Sequence, residues 1–361
     1  MTFSASPAAI ASLKTDLDHL LDRLPTHQDG DLIFQTLNLL LQMGEEGMER
    51  LDWKILRSSV RDLHHGFQVF AGYRHTRKVS VFGSSRLSPD SPEYQMAVDF
   101  AQRVIAQGYM VMTGAGGGIM AAANKGAGAE QSFGLNIQLP FEQGANPYIE
   151  GDSKLIDFKY FFTRKLFFLR ESDAIALFPG GFGTQDEAFE CLTLIQTGKS
   201  TPFPLVLIDR PGGTYWQDWD AYVHTHLRAN QLISPQDHRL YTITHSLDAA
   251  CEAISGFYRV YHSSRYVGDR LVIHLNHRLS AAALDQLNQA FSDILLTGQI
   301  EQTSGSDPEA SGSETANPWP QLSFHFNQRD HGRLYQMIAR INQVGESTTN
   351  HPERKKTRRV C

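Results

Sequence analysis

The sequence PGGFGTQDE, at residues 179–187, stands between two segments of different character. Residues 174–178 are a continuous apolar run, which is typical of a buried strand, and residues 188–196 carry apolar side chains at helical spacing. Three glycines therefore fall where a strand turns into a helix. The N–H groups at a helix N-terminus bind anions such as phosphate. We expect Glu187 in the first helical turn, where it would lie beside this anion site.

Strand-like and helix-like segments alternate on both sides of this motif. Strands are predicted at residues 79–82, 109–113, 132–138, 173–178 and 204–208, and helices at residues 91–107, 119–129, 162–171, 183–197, 216–229 and 246–258. This alternation predicts an α/β fold with a doubly wound parallel sheet that helices cover on both faces. Ligands bind such sheets at the carboxyl ends of the strands, where the strand order reverses.

The remaining segments predict four parts in the chain. Residues 1–75 form a helical region, with helices at 8–24, 31–43 and 45–63 that favour a cap or an oligomer surface. Residues 76–258 hold the parallel sheet. Residues 259–345 form a small α+β appendage, with strands at 270–275 and 321–326, helices at 280–295 and 332–343, and a flexible Ser/Gly/Glu-rich loop at 303–317. Residues 346–361 form a basic, disordered tail. A solvated tail is the simpler interpretation, and contact with RNA or an acidic partner is the alternative.

The composition and the lack of certain sequence patterns argue against a membrane-spanning, secreted, nucleic-acid-binding or zinc-binding protein. No apolar run reaches the roughly 18–20 residues that cross a bilayer, and the N-terminus lacks the basic and apolar regions of a secretory signal. The net charge of -6 gives the body of the protein no tendency to bind nucleic acid. Cys191, Cys251 and Cys361 form no metal-binding spacing, and Cys191 is expected in the core. We therefore expect a cytoplasmic protein without membrane contact.

A second glycine loop, GAGGGI at residues 114–119, follows the predicted strand at 109–113. It is not a dinucleotide fingerprint, because Ile119 stands where GxGxxG requires glycine, and the chain holds no GxxxxGK[ST] phosphate loop. Gly116, Gly117 and Gly118 are candidates for a phosphate-cradling turn, with tight packing as the alternative. Ser84 follows the first strand of the sheet and is a further candidate for the same crevice.

Three charged residues are candidates for the site. Arg164 and Lys165 lie at the start of a predicted helix, where cations oppose the helix dipole unless an anion or a carboxylate faces them. Arginine can clamp phosphate or carboxylate with two hydrogen bonds, whereas Lys165 can equally point to solvent. Glu142 follows the third strand at its carboxyl end and can enter the same crevice.

Together these segments resemble the LOG family, which is also labelled lysine-decarboxylase-like. Its hallmark PGGxGTxxE matches residues 179–187 without a gap, its arginine–lysine pair matches Arg164 and Lys165, and its glycine turn with Ile-Met matches residues 116–120. The resemblance spans residues 78–208 and implies a Rossmann-like fold. The N-terminal helices and the segment from residue 259 lie outside the short family core.

The resemblance implies an activity. Family members are similar to nucleoside 5′-monophosphate phosphoribohydrolases, which cut the N-glycosidic bond and release a free base and ribose 5-phosphate. By this resemblance Arg164 and Glu187 are the catalytic pair. The implied substrate-binding residues include Lys165, Gly180, Gly181, Phe182, Gly183 and Thr184.

The same resemblance places Glu142 against the ribose or the base, although its neighbours Phe141 and Gln143 depart from the family pattern, as does Ala115 in the second glycine loop. It implies a homodimer or a higher homo-oligomer, and neither a metal nor another cofactor is expected.

The residue types suit this chemistry. Glycosidic cleavage passes through an oxocarbenium-like state, with positive charge at C1′ and the ring oxygen. A carboxylate beside the ribose stabilises that charge and can orient the attacking water. A bound 5′-phosphate would supply binding energy that fixes the sugar over Glu187.

Two other functions compete with hydrolysis. A protein of this fold can bind a nucleotide as a sensor without cleaving it, although a sensor would not need both Arg164 and Glu187. A pyridoxal-phosphate decarboxylase would need a Schiff-base lysine, and Lys165 is the one lysine close to the motif.

Overall fold

The computed structural model describes residues 12, 15, 29–138, 144–304 and 319–345. Predictions for the rest of the 8–24 helix, for residues 305–317 of the flexible loop, for the basic tail and for Glu142 lie outside the described residues.

The described segments form ten α-helices and eleven strands, numbered here in chain order. The helices are α1 (Gly30–Glu45), α2 (Arg50–Ala71), α3 (Pro92–Ala106), α4 (Ile119–Ala127), α5 (Phe161–Glu171), α6 (Phe182–Gln196), α7 (Tyr215–Tyr222), α8 (Leu247–Ser255), α9 (Ala281–Ala290) and α10 (His331–Val344). The strands are β1 (Lys78–Phe82), β2 (Met110–Thr113), β3 (Ser132–Ile137), β4 (Leu155–Phe158), β5 (Ala174–Leu177), β6 (Leu205–Ile208), β7 (Thr242–Thr244), β8 (Tyr261–Val267), β9 (Arg270–Leu275), β10 (Glu301–Ser304) and β11 (Pro320–Phe324).

Two compact units divide the chain, at residues 1–61 and 62–361. In the first unit, helix α1 buries none of its residues and exposes Leu32 and Leu39. Helix α2 extends eight residues beyond its predicted end at residue 63, to Ala71. None of the helices in the described ranges is long and apolar enough to cross a membrane.

The second unit is built on a seven-stranded parallel sheet in the order β4-β3-β2-β1-β5-β6-β7. The chain moves outward from β1 to β4, returns to β5 beside β1, and then moves outward in the other direction. The strand order therefore reverses between β1 and β5, whose residues pair from Val79↔Ala174 to Phe82↔Leu177. The prediction of an α/β, Rossmann-like parallel sheet is confirmed.

Alternating strand side chains fill two apolar layers, one on each face of the sheet. Val79 and Val81 of β1 enter one layer, against α3, α4 and α8. Phe82 enters the other layer, against α5, α6, α7 and the end of α2. Cys191 lies in this second layer, as predicted. Because both faces are covered, β5 and β6 are continuous apolar runs and β1 is mostly apolar, and this made these strands visible in the sequence.

A smaller antiparallel sheet follows at the C-terminal end, in the order β10-β11-β9-β8. Helices α9 and α10 pack on it in a third apolar cluster. Helix α10 also contacts the segment that leads into β6, since the hydroxyl of Tyr335 accepts a hydrogen bond from Phe203 N and donates one to Phe203 O, at 3.0 and 2.8 Å. The side-chain oxygen of Asn342, also on α10, accepts hydrogen bonds from the backbone N–H groups of Val260 and Tyr261. Helix α10 therefore holds the segment through which the chain enters β8.

Candidate functional site

Three loops meet at the point where the strand order reverses. The loop after β1 is bonded to the motif loop after β5 through Ser84 N and Pro179 O, which lie 3.0 Å apart. The loop after β2 joins them, since Ile119 N donates to Ser84 O at 3.0 Å. The two glycine loops and Ser84 are thus brought to one edge of the sheet, at the carboxyl ends of three neighbouring strands.

Two glycines allow this close approach. A Cβ on Gly180 would lie 2.1 Å from Thr184 Oγ1 and 2.8 Å from Ser84 N. A Cβ on Gly118, whose φ is +58°, would lie 2.1 Å from Ser84 O. Any larger residue would force these loops apart. Tight packing therefore accounts for Gly118, the alternative left open by the sequence, and binding of an anion nearby remains compatible with it.

The N-terminus of α6 opens at these loops. Gly181 is its N-cap and no side chain caps it among the described residues, so its first N–H groups have no intrahelical partner. Gly181 and Gly183 have no neighbouring atom within 4 Å of an added Cβ, and Phe182 between them is 96% exposed. The helix thus presents backbone N–H groups at an open surface, as an anion site requires.

Buried polar side chains hold the loop after β2. Ala115 adopts a φ of +61°, and its N–H donates to Thr113 Oγ1. The backbone N–H of Asn146 donates to Ala115 O at 2.7 Å, and its side chain donates to Gly116 O at 3.1 Å and to Asn124 Oδ1 at 3.0 Å. These hydrogen bonds hold Ala115 in the left-handed backbone conformation, which glycine adopts more easily. The loop therefore keeps its shape although alanine replaces the glycine of the family pattern.

Helix α5 carries Arg164 and Lys165, and a carboxylate from α2 anchors its start. Asp62 Oδ2 accepts hydrogen bonds from Lys159 N at 3.0 Å, from Tyr160 N at 3.3 Å and from the Thr163 hydroxyl at 2.7 Å. Asp62 is buried, so its negative charge acts on the positive end of the α5 dipole without full solvent screening. Asp62 thus supplies a carboxylate of the kind that was expected to face Arg164 and Lys165 at the start of this helix.

Lys165 is turned toward helix α6. Its ammonium pairs with Asp186 at 2.8 Å and with the carboxylate of Glu190. Burial disfavours its charge, but the bonds to Asp186 and Glu190 outweigh this and raise the pKa of Lys165. The lysine is therefore held charged between α5 and α6, and does not point to solvent.

Glu187 lies in the second turn of α6, not in the first as predicted, because the helix begins at Phe182. Its side chain is 5% exposed. Burial is the main cause that raises its pKa; the charges of Lys165 and Arg164 lower it, and those of Glu190 and Asp186 raise it. The net result is a pKa of about 7, compared with 4.5 for an ordinary glutamate. Such a carboxyl can hold or release a proton near neutral pH.

Arg164 lies close to the glycine loop after β2 and near enough to Glu187 for its charge to act there. Its Nη1 atom is 3.5 Å from the position of a Cβ on Gly114, and its guanidinium lies 5.0 Å from the ring centre of Phe161 and 5.7 Å from that of Phe168. Its charge also acts on Glu187. The arginine is thus close enough to act on both a carboxylate and an anion at the loops.

The predicted residues separate into two groups. Ser84, Gly118, Gly180 and Thr184 lie in direct contact, and Arg164, Lys165 and Glu187 form a charged cluster beside them. Sequence reasoning missed Asp62, Asn146 and Tyr215, whose bonds hold α5 and both glycine loops. No local motif marks them, because each acts on a segment distant in sequence. The nearest to a visible signal was Tyr215, which immediately precedes the helix predicted at residues 216–229.

Comparison with known proteins supports the interpretation of the motif. The model of a family described as "Possible lysine decarboxylase" matches residues 120–254, which include the arginine–lysine pair and the whole PGGxGTxxE motif. This match confirms the family resemblance. No curated protein matches the chain.

Several solved structures resemble about half of the chain. A molybdenum cofactor binding protein from Rippkaea orientalis is 16% identical, with 49% of this chain and 94% of that one covered and a TM-score of 0.36. The molybdenum cofactor carrier protein of Chlamydomonas reinhardtii is 17% identical, with 49% and 95% covered and a TM-score of 0.35. DNA processing protein A from Helicobacter pylori is 13% identical, with 50% and 81% covered and a TM-score of 0.35.

Proposed function

We propose that the protein hydrolyses the N-glycosidic bond of a nucleoside 5′-monophosphate and releases a free base and ribose 5-phosphate. The observation that carries this proposal is Glu187, a buried carboxyl with a pKa of about 7 beside Arg164 and Lys165. It lies one turn into a helix whose N-terminal N–H groups are open at the end of β5. A phosphate at that N-terminus would hold the ribose beside the carboxyl.

Each residue of the site has a part in this proposal. The N–H groups of the motif loop and the Thr184 hydroxyl would bind the 5′-phosphate, and Arg164 would add its positive charge to it or hold Glu187 in place. Glu187, when ionised, would stabilise the positive charge that grows at C1′ and orient the water that attacks there. The C1′–N bond would break with its electron pair on the departing base, which takes up a proton from solvent, and the proton of the attacking water would pass to Glu187, whose pKa suits it to accept a proton near pH 7.

The state of Lys165 speaks against a decarboxylase that uses pyridoxal phosphate. A Schiff-base lysine must lose its proton before it attacks an aldehyde. The ammonium of Lys165 is instead bound by Asp186 and Glu190, and its pKa is raised. Lys165, the lysine nearest to the motif, therefore does not support the decarboxylase activity that the description of the matching family suggests.

A screen for base release tests the hydrolase proposal. Wild-type protein incubated with AMP, CMP and a cytokinin nucleotide should release free base and ribose 5-phosphate from at least one of them, as measured by mass spectrometry. The matched nucleosides without the phosphate should remain intact over the same period, since the phosphate provides the remote binding energy. Tight binding in calorimetry with no release from any monophosphate would instead identify a nucleotide sensor.

A second copy of the chain is the partner that we propose. Phe161, Phe162 and Leu166 of α5 are exposed, as is Phe182 of α6, and the ion pairs of Lys165 hold these two helices together. Exposed apolar side chains clustered at one surface mark an interaction site. Light scattering should give the mass of a dimer or a larger oligomer, and Phe162→Asp with Phe182→Asp should shift it toward the monomer. A wild-type monomer at micromolar concentration would contradict this.

A further inference from the structure

The carbonyl of Gly180, in the middle of the motif, is bound by a side chain from outside the motif. The hydroxyl of Tyr215, at the first residue of α7, donates to Gly180 O at 2.6 Å. The side-chain amide of Gln185 donates to the same hydroxyl at 2.6 Å. A chain of two hydrogen bonds thus runs from α6 through Tyr215 back to the loop in front of α6.

The hydrogen bond from Tyr215 to Gly180 O also determines the direction of the next N–H group. The described chain has no cis peptide bond, and in a planar trans peptide the C=O and the N–H point in opposite directions. The carbonyl of Gly180 and the N–H of Gly181 belong to one peptide. When Tyr215 holds the carbonyl on its own side, the N–H of Gly181 is turned to the other side. Gly181 is the exposed N-cap of α6, where the anion would lie.

The start of α7 is itself anchored, so Tyr215 is held in place. Asp209, which follows β6, is buried, and its Oδ2 accepts a hydrogen bond from Trp216 N at 3.1 Å. Trp216 is fully buried, and the ring of Tyr215 packs edge-on against it at 4.8 Å between centres. Strand β6 therefore supports the loop that follows its neighbour β5.

Glycine at position 180 depends on the same arrangement. Thr184 Oγ1 and Ser84 N occupy the space where a Cβ would be, so the Gly180 peptide is enclosed on those sides while Tyr215 binds its oxygen. Pro179, Gly180 and Gly181 carry no side-chain hydrogen-bond donor that could hold this carbonyl. Its orientation falls to a residue thirty-five positions further along the chain.

We propose that Tyr215 is a positioning residue for the anion site. Its hydroxyl orients the Gly180–Gly181 peptide so that the Gly181 N–H is available to a phosphate, and Gln185 orients the hydroxyl. Tyr215 does not touch the phosphate or the reacting atoms. This inference rests on the proposed function, because it assigns the phosphate to the N-terminus of α6.

Tyr215→Phe tests the inference, because it removes one oxygen atom and keeps the ring. We expect the dissociation constant of inorganic phosphate, measured by calorimetry, to increase about five- to tenfold, the effect of one lost hydrogen bond. The KM for the nucleotide substrate should rise by the same factor while kcat stays within about twofold, since only binding of the phosphate is weakened. A purely structural role would not separate KM from kcat.

Two further variants sharpen the test. Gln185→Leu should weaken phosphate binding less than Tyr215→Phe, and the double variant should bind no more weakly than Tyr215→Phe, because Gln185 acts through Tyr215. Tyr241→Phe is the control: it removes another phenolic hydrogen bond, to Asp220 of the same helix, at 2.5 Å and away from the loop. Phosphate binding by this control should equal that of the wild type.

The outcomes distinguish this inference from the hydrolase proposal. An unchanged phosphate dissociation constant in Tyr215→Phe, or no phosphate binding by the wild type, overturns the positioning role. If the wild type binds phosphate, Tyr215→Phe weakens it, and no nucleotide is cleaved, the positioning role stands and hydrolysis is wrong.

Discussion

Glu187→Gln is expected to lower kcat for base release by about a thousandfold, the range of general acid–base and charge-stabilising groups. Glutamine keeps the size of the side chain but can neither carry the negative charge that stabilises the sugar cation nor accept a proton from water. Binding of the nucleotide should change only a few-fold, because the phosphate would be held by the motif loop. Measurement of kcat by base release and of the dissociation constant by calorimetry checks both parts.

Glu190→Gln is the matched control for this variant. Glu190 lies on the same helix, and its carboxylate pairs with Lys165, so the substitution removes an equal charge three residues away. We expect kcat to fall less than about tenfold, since Asp186 still holds Lys165. Equal losses in the two variants would show that the charge of the cluster matters and that Glu187 has no special role.

The pH dependence of the wild type gives a second check on the same residue. The ionised form of Glu187 is the active one in the proposed mechanism. Its pKa of about 7 therefore predicts that the rate rises as pH increases through 7 and then levels off. A rate that is already constant from pH 5 upward would contradict the assignment.

The sequence predicted the central strands because of where they lie in the sheet. Strands β5 and β6 are covered on both faces and are apolar throughout, and β1 is apolar except for Lys78 and Ser80; all three are followed by glycine, proline or polar turns. Strands β4, β7, β8 and β10 were not predicted. Strand β8 reads YHSSRYV, with polar residues at 262–265, and β7 has three residues, so neither contains an apolar run.

The residues of the candidate site likewise fall into those that the sequence could predict and those that it could not. Its motif residues are contiguous or close in sequence, so Gly180, Thr184 and Glu187 could be found by spacing alone. The state of Lys165 could not, because its partners lie on another helix and become neighbours only when α5 and α6 pack side by side. Asp62 acts on residues about a hundred positions away, and no local pattern encodes such a contact.

The buried carboxyl of Glu187 should also reduce the stability of the folded protein at neutral pH. Its pKa is about 7 in the folded state and 4.5 for an ordinary glutamate, so the folded state holds the proton more tightly than the unfolded chain. Between these pKa values the unfolded chain ionises first, and the free energy of unfolding falls as pH rises. Glu187→Gln has no such group, so its advantage over the wild type should grow by about 2–3 kcal/mol from pH 5 to pH 8.

Urea unfolding of the wild type and of Glu187→Gln across this pH range measures the difference between their free energies of unfolding. The contributions of the other titrating groups largely cancel in this difference, because both proteins contain them. Thr193→Ala, a substitution on the exposed side of the same helix, removes a hydroxyl that donates to Phe189 O and changes no charge. Its stability should run parallel to that of the wild type at every pH. If Glu187→Gln also runs parallel, the carboxyl is not held protonated by burial, and the chemistry assigned to it loses its physical basis. A growing advantage would instead mean that the fold is destabilised by a carboxylate it nevertheless retains, as expected for a residue kept for catalysis.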